Sequence, residues 1–127
     1  MKDKILHVYN QRRRDAVDDR TRVGLKMNSL LKQFYPWSLS IIERDLHSPI
    51  SIAFFEKWPT PQKLRGASTV SVRNFFNKRS SLKSKTASRL EIVSEIEPVV
   101  TDPELVEFYQ VQVQDLLSRI QNLNESV

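Results

Sequence analysis

Few residues in this 127-residue chain have the types and spacing that chemistry needs. Asp15, Asp18 and Asp19 form its densest carboxylate group, the kind of cluster that can hold a divalent cation. Asp18, however, lies four residues from both Arg14 and Arg22, one helical turn away on either side, so the group reads as surface ion pairing on a helix. His7 and His47 have no partner at metal-ligand spacing and are expected as surface or capping histidines. The sequence has no cysteine, no glycine-rich phosphate loop and no nucleophile elbow. We therefore expect no catalytic residue, no metal, no cofactor and no small-molecule substrate. What remains is positive charge in two clusters. Arg12, Arg13, Arg14, Arg20, Arg22, Lys26 and Lys32 spread around one helix, and Lys78, Arg79, Lys83 and Lys85 sit in a Ser-rich stretch read as a mobile loop. Either cluster could track a phosphate backbone, and the alternative for each is a solvated charged face.

The charge is unevenly distributed. Residues 1–90 carry 19 Lys/Arg against 7 Asp/Glu, an excess of +12, whereas residues 91–127 carry 1 against 8, or −7. An excess of that size suits phosphate backbones, which reward Lys and Arg through counterion release, although part of it could be neutralised by the acidic C-terminal segment. No apolar run is long enough for a membrane span or a signal-peptide core, and the absence of cysteine fits a reducing cytoplasm.

The elements that must position these charges read as all-α. Two glycines and little β-branched alternation argue against a sheet. Residues 4–34 predict one helix of about 45 Å, ended by Pro36. Tyr9, Ala16, Val23 and Leu30 recur at seven-residue spacing and Leu6, Met27 and Phe34 fill the companion position, which Arg13 and Arg20 interrupt. Gly24 admits a kink or a close helix approach. A short helix is expected over residues 37–47, capped by Ser38, with Leu39, Ile42 and Leu46 on its buried side. Another is expected from about Lys85 to Ile96, stopped by Pro98. Asp102-Pro103-Glu104 is a strong helix start, with the aspartate as cap and proline in the first position. In the helix that follows, Val106, Tyr109, Val113, Leu116, Ile120, Leu123 and Val127 alternate spacings of three and four, a coiled-coil seam. If the Arg-interrupted first helix cannot cover this seam, it should drive self-association, so Val106, Tyr109, Val113, Leu116, Ile120 and Leu123 are the expected oligomerisation residues.

Between the long helices lies the densest apolar stretch, residues 48–76, with Ile50, Ile52, Phe54, Phe55, Trp58, Leu64, Val70, Val72, Phe75 and Phe76. Its punctuation predicts three short helices. Ser48-Pro49 opens one to about Lys57, Thr60-Pro61 opens a one-turn helix closed by Gly66 at positive φ, and Ser68 or Thr69 caps a third through Phe76. Trp58, before Pro59, leaves the helical region.

The segment FFEKWPTPQKLRGASTVSVRNFF resembles the one that follows the RuvC-like nuclease domain in DEDD transposases of the IS-one-ten type. RRDAVDDRTRVGLKMNSLLKQFYP is similar to the Arg-rich helix ahead of it, and RLEIVSEIEPVVTDPELVEFYQVQVQDLLSRIQNL to the helical segment behind it. The order and spacing of these three carry the resemblance from about Arg13 to Leu123, although the family's Asn-Arg pair on the first helix is replaced here by Leu25-Lys26. The resemblance implies transposition or recombination of DNA directed by a structured guide RNA, in subunits that oligomerise around nucleic acid. It also implies that the family's four acidic metal ligands and its nucleophilic serine have no counterpart in this sequence, so Asp15, Asp18 and Asp19 inherit no catalytic role.

The expected architecture is a long antiparallel helical stalk with a small multi-helix subdomain between its two long helices. The segments are residues 1–35, a long Arg-rich helix; 36–97, a helical subdomain with an aromatic core; and 98–127, a coiled-coil helix. The expected function is that of a transposase fragment, inactive alone, serving as scaffold, oligomerisation region and contact to DNA, structured guide RNA or both in the cytoplasm. Met1 directly ahead of the Arg-rich helix leads us to expect a truncated reading frame. The alternative from a different class is a stand-alone helical nucleic-acid-binding or regulatory protein, one that interferes with a full-length transposase by co-assembly.

Overall fold

The computed structural model describes residues 2–43, 45–79 and 83–127; the side chains of Lys2, Asp3, Lys83 and Ser84 lie outside that description. All regular structure among the described residues is helical: α1 (Lys2–Phe34), α2 (Pro36–Ile42), α3 (Pro49–Lys57), α4 (Pro61–Arg65), α5 (Thr69–Arg79), α6 (Lys83–Ser94) and α7 (Pro103–Ser126). The two long helices pack along each other in opposite directions. The Arg20 guanidinium donates to Asn124 Oδ1 at 3.1 Å, while fourteen residues further along α1 the Phe34 ring stacks on Tyr109 at 4.5 Å.

The seam of α7 is used inside the chain. Val113, Leu116 and Ile120 are buried, and Val106, Tyr109 and Leu123 are half-buried. Arg13 and Arg20 do not prevent this cover. Arg20 is satisfied by Asn124, and Arg13 is exposed near the C-terminal end of α7. Leu117, off the two-position seam, is buried as well, because α7 is covered by α3 in addition to α1. A helix packed from two sides buries a wider stripe than a coiled coil does. One continuous core therefore joins Met27, Leu31 and Phe34 of α1 to Val113, Leu116, Leu117 and Ile120 of α7 and to the aromatic residues between them.

That middle region is organised by local capping. Ser48 Oγ accepts the Ser51 amide, Thr60 Oγ1 accepts the Lys63 amide, Ser68 Oγ accepts the Ser71 amide, and Asp102 accepts the Glu104 amide. In each case the side chain satisfies a first-turn N–H that has no partner within the helix. The short helices that result bring Phe54, Phe55, Trp58, Phe75 and Phe76 together, all buried. Their rings meet mostly edge to face, with Phe54–Phe55 at 5.1 Å and 87° and Trp58–Phe75 at 5.1 Å and 67°. Such pairs add to the burial of their area. Tyr35 lies fully buried against this cluster and donates its hydroxyl to the Trp58 carbonyl at 3.1 Å. Burial pushes its phenol well above the ordinary tyrosine range. Arg89 of α6 is also buried: its Nε donates to the Ile41 carbonyl at 3.0 Å, and its guanidinium lies 4.6 Å over the Phe76 ring.

Several expectations are corrected. Helix α2 begins at Pro36, with Tyr35 in the capping position, and ends at Ile42; Ser38 lies inside it and donates its hydroxyl to the Tyr35 carbonyl. Glu43 closes α2 in the left-handed region at φ 48°, its amide donating to the Leu39 carbonyl, so Leu46 falls beyond the helix. Gly66 has φ −75°, an ordinary helical value, and no left-handed glycine terminates α4. A side chain added at Gly24 would meet nothing within 4 Å, so the glycine marks no close approach. The basic, Ser-rich stretch is largely helical. Lys78 and Arg79 belong to α5, and Lys83 and Lys85 open α6; residues 80–82 lie outside the described residues.

Candidate nucleic-acid interface

The structure sorts the predicted cations by what surrounds them. On α1, Arg14 and Lys32 are exposed, and Arg20 is taken up by Asn124. Arg12 and Arg13 flank a shallow depression shared with Tyr9, Ala16, Leu123 and Ser126 and with two carboxylates, Asp15 and Asp19. Arg22 and Lys26 meet Arg119 of α7 across a second one. Arg119 escaped sequence reasoning because it stands alone in an acidic segment, and only antiparallel packing brings it level with Arg22. Two carboxylates temper this group: Asp19 lies 3.4 Å from Arg22, and Asp115 lies 3.2 Å from Arg119. The pairing expected of Asp18 falls instead to Asp19. Among the described residues, no ion pair joins Arg12, Arg13 or Arg14 to the acids of α7.

The second cluster is built differently. Lys78 and Arg79 line a cleft of about 560 Å³ between α3 and α5, with Lys57, Glu56, Ser71 and Asn74. Lys57 is an addition that charge patterning alone missed. Two of the three cations are held against the aromatic core: Arg79 donates to the Phe75 carbonyl at 3.2 Å with its guanidinium 4.1 Å over the Phe75 ring, and the Lys57 ammonium lies 5.1 Å over Trp58. Both rings belong to the buried, edge-to-face pair already described, so the charges stand on a rigid support. Asn74 and Ser71 add neutral donors. Glu56 carries the cleft's one carboxylate and accepts from Gln121 of α7 at 2.5 Å. Lys85 is exposed on the first turn of α6, and the Lys83 side chain lies outside the described residues.

Among the described residues, no group of three or more His, Asp or Glu is placed to hold a metal ion. No helix is long and apolar enough to cross a membrane. No family model matches the chain, and no curated protein or solved structure matches it significantly.

Proposed function

We propose that this chain is a helical scaffold that contacts nucleic-acid phosphates, as the central part of a transposase of the IS-one-ten type would. The observation that carries the reading is the α3–α5 cleft. Lys57, Lys78 and Arg79 converge there with Ser71 and Asn74, two of the cations seated on buried aromatic rings. A cation already fixed by its ring loses little freedom when a phosphate arrives, and the neutral donors add hydrogen bonds to phosphate oxygens. The exposed arginines of α1, free of the C-terminal carboxylates, extend the same electrostatic attraction to a second surface. Transposition chemistry is no part of this chain's role, and DNA and structured RNA are both read through the same phosphate contacts. The sequence resemblance supports the transposase assignment, and a cytoplasmic site of action goes with it.

Salt dependence of binding to duplex DNA and to structured RNA tests the reading. Each neutralised phosphate contributes about −0.9 to the log–log slope on duplex DNA and about −0.7 on a single strand, so several contacts give about −3 or steeper. Replacing Lys57, Lys78 and Arg79 with alanine should flatten that slope while the helix content stays unchanged. The Arg12, Arg13 and Arg14 triple alanine variant should flatten it separately. An unchanged slope in both variants, with a drop in folding stability instead, would mean that the cations are structural and would overturn the proposal.

A further inference from the structure

A hollow of about 290 Å³ opens where the link between α2 and α3 borders α1, and the phosphate contacts above make no use of it. Its floor is the face of α1 around Gly24 and Asn28, and its wall is Asp45, Leu46 and His47 of the link. Gly24 is required there by neither backbone nor packing: its φ is not positive, and an added Cβ would meet nothing within 4 Å. Glycine nevertheless weakens the interior of a helix relative to alanine. What it achieves is a bare floor, against which a ligand can approach the backbone closely. Asn28, half-buried beside it, has no hydrogen bond to its side chain among the described residues. The wall is fixed before any ligand arrives. The Asp45 carbonyl accepts from the Ser48 amide at 3.0 Å and from the Ser51 hydroxyl at 2.9 Å, and the His47 carbonyl accepts from Asn124 at 3.1 Å. These bonds use backbone oxygens, which leaves the Asp45 carboxylate and the His47 ring, 4.0 Å apart, at the edge of the hollow. Arg20, also at its edge, is held by Asn124.

We propose that this hollow takes one unpaired adenine base of a bound strand, with Asn28 reading the base edge and His47 stacking on its face. The inference rests on the nucleic-acid reading above and goes beyond it, because phosphate contacts carry no sequence information. The volume lies at the lower end of the range for small-ligand sites, about 300–1,000 Å³, which suits a single flat heterocycle and excludes a partner helix. An asparagine amide presents a donor beside an acceptor, and adenine presents the matching pair in N7 and the N6 amino group. The second N6 hydrogen is free for the Asp45 carboxylate to accept. Guanine presents two acceptors on the same edge, O6 and N7, and would set O6 against either the Asn28 carbonyl oxygen or the Asp45 carboxylate. Imidazole is one of the rings on which unstacked bases lie, and half-buried Leu46 adds apolar surface beside it. A paired, stacked base cannot enter, so the site selects a single-stranded position or a loop.

Short oligothymidine strands that differ only at one central position, as adenine, guanine or an abasic site, carry the same number of phosphates. Differences in affinity among them therefore report the base and not the backbone. The adenine strand should bind about tenfold more tightly than the other two. Asn28→Ala should abolish that preference with the salt slope unchanged, and Gly24→Leu, which fills the floor, should abolish it while the melting temperature holds or rises. The Lys57, Lys78 and Arg79 triple alanine variant should instead weaken all three strands alike, so the two readings fail separately. Equal affinity for the adenine and abasic strands, or a preference that survives Asn28→Ala, would overturn the base site and leave the phosphate reading standing. If no strand binds, titration with adenosine monophosphate decides: shifts of the Gly24 and His47 amide resonances that vanish in Asn28→Ala uphold the site, and their absence in wild type overturns it.

Discussion

The two halves of α1 are a controlled comparison within one helix. Tyr9, Ala16, Val23, Met27 and Phe34 fall on one stripe, yet Tyr9 is 65% exposed whereas Met27 and Phe34 are buried. Sequence character does not separate them. The cover does: α7 packs along α1, and past Ala16 its last turn, with Leu123 and Ser126, borders only an open depression that Tyr9, Arg12 and Arg13 share. Apolar periodicity thus records a competence to be buried, and the length of the opposing element decides where that competence is used. Arg20, on the covered side, is satisfied by an uncharged amide, while Arg12, Arg13 and Arg14 remain exposed.

The sharpest way to break this comparison is to truncate one residue from each half. Leu31→Ala removes a fully buried side chain and should cost about 2–5 kcal/mol in urea denaturation, whereas Tyr9→Ala should stay within about 0.5 kcal/mol in the protomer. Comparable losses at both positions would show that the exposed half is covered after all. A smaller effect is expected just past the covered half, at Tyr35. Its folded-state pKa is raised by burial above the ordinary value of 10.0, so its stabilising contribution is complete below that value and declines as pH rises beyond it. Tyr35→Phe should lose about 1 kcal/mol near neutrality, from the bond to the Trp58 carbonyl, but fall less steeply than wild type between pH 10 and 11.5. Parallel pH profiles would contradict the burial. An effect of opposite sign is expected at Gly24: Gly24→Ala should raise stability by up to about 1 kcal/mol, because the added methyl group meets no atom within 4 Å and alanine is the better helix former. A loss would reveal a packing constraint on α1 at that point.

How far the sequence carries the fold depends on the range of the interaction. Ser48-Pro49, Thr60-Pro61 and Asp102-Pro103 announce their helices because cap and proline act within one turn, and all three helices start there. The burial of Trp58 and the four phenylalanines was legible for a related reason: so much apolar surface in so short a stretch has few other ways to leave water. Leu117 was not legible, since its burial depends on α3 arriving from a distant part of the chain. Tyr35 is legible in the sequence only as the residue before Pro36. Its position before proline fixes the backbone, but its buried hydroxyl requires the Trp58 carbonyl 23 residues away. The Ser-rich stretch misled because serine and lysine are acceptable at exposed helical positions, and α5 and α6 simply extend into it. At the candidate interface, composition identified Lys78 and Arg79, while the aromatic seats beneath them and the addition of Lys57 belong to the packing of α3 on α5.

Asn124 has a consequence for alignment. Its Oδ1 accepts from Arg20 of α1 at 3.1 Å, and its Nδ2 donates to the His47 carbonyl at 3.1 Å, so one amide touches a long helix and the link between α2 and α3. A slip of α7 by a single residue would move that position 1.5 Å along the axis and turn it by about 100°. Both bonds would be lost together. Apolar side chains tolerate small offsets because any neighbour of similar size will do, but a two-ended amide accepts one placement only. The contact therefore works as a vernier between the halves of the fold: it selects the register in which Val113, Leu116 and Ile120 reach their pockets, and it ties that register to the position of the aromatic centre.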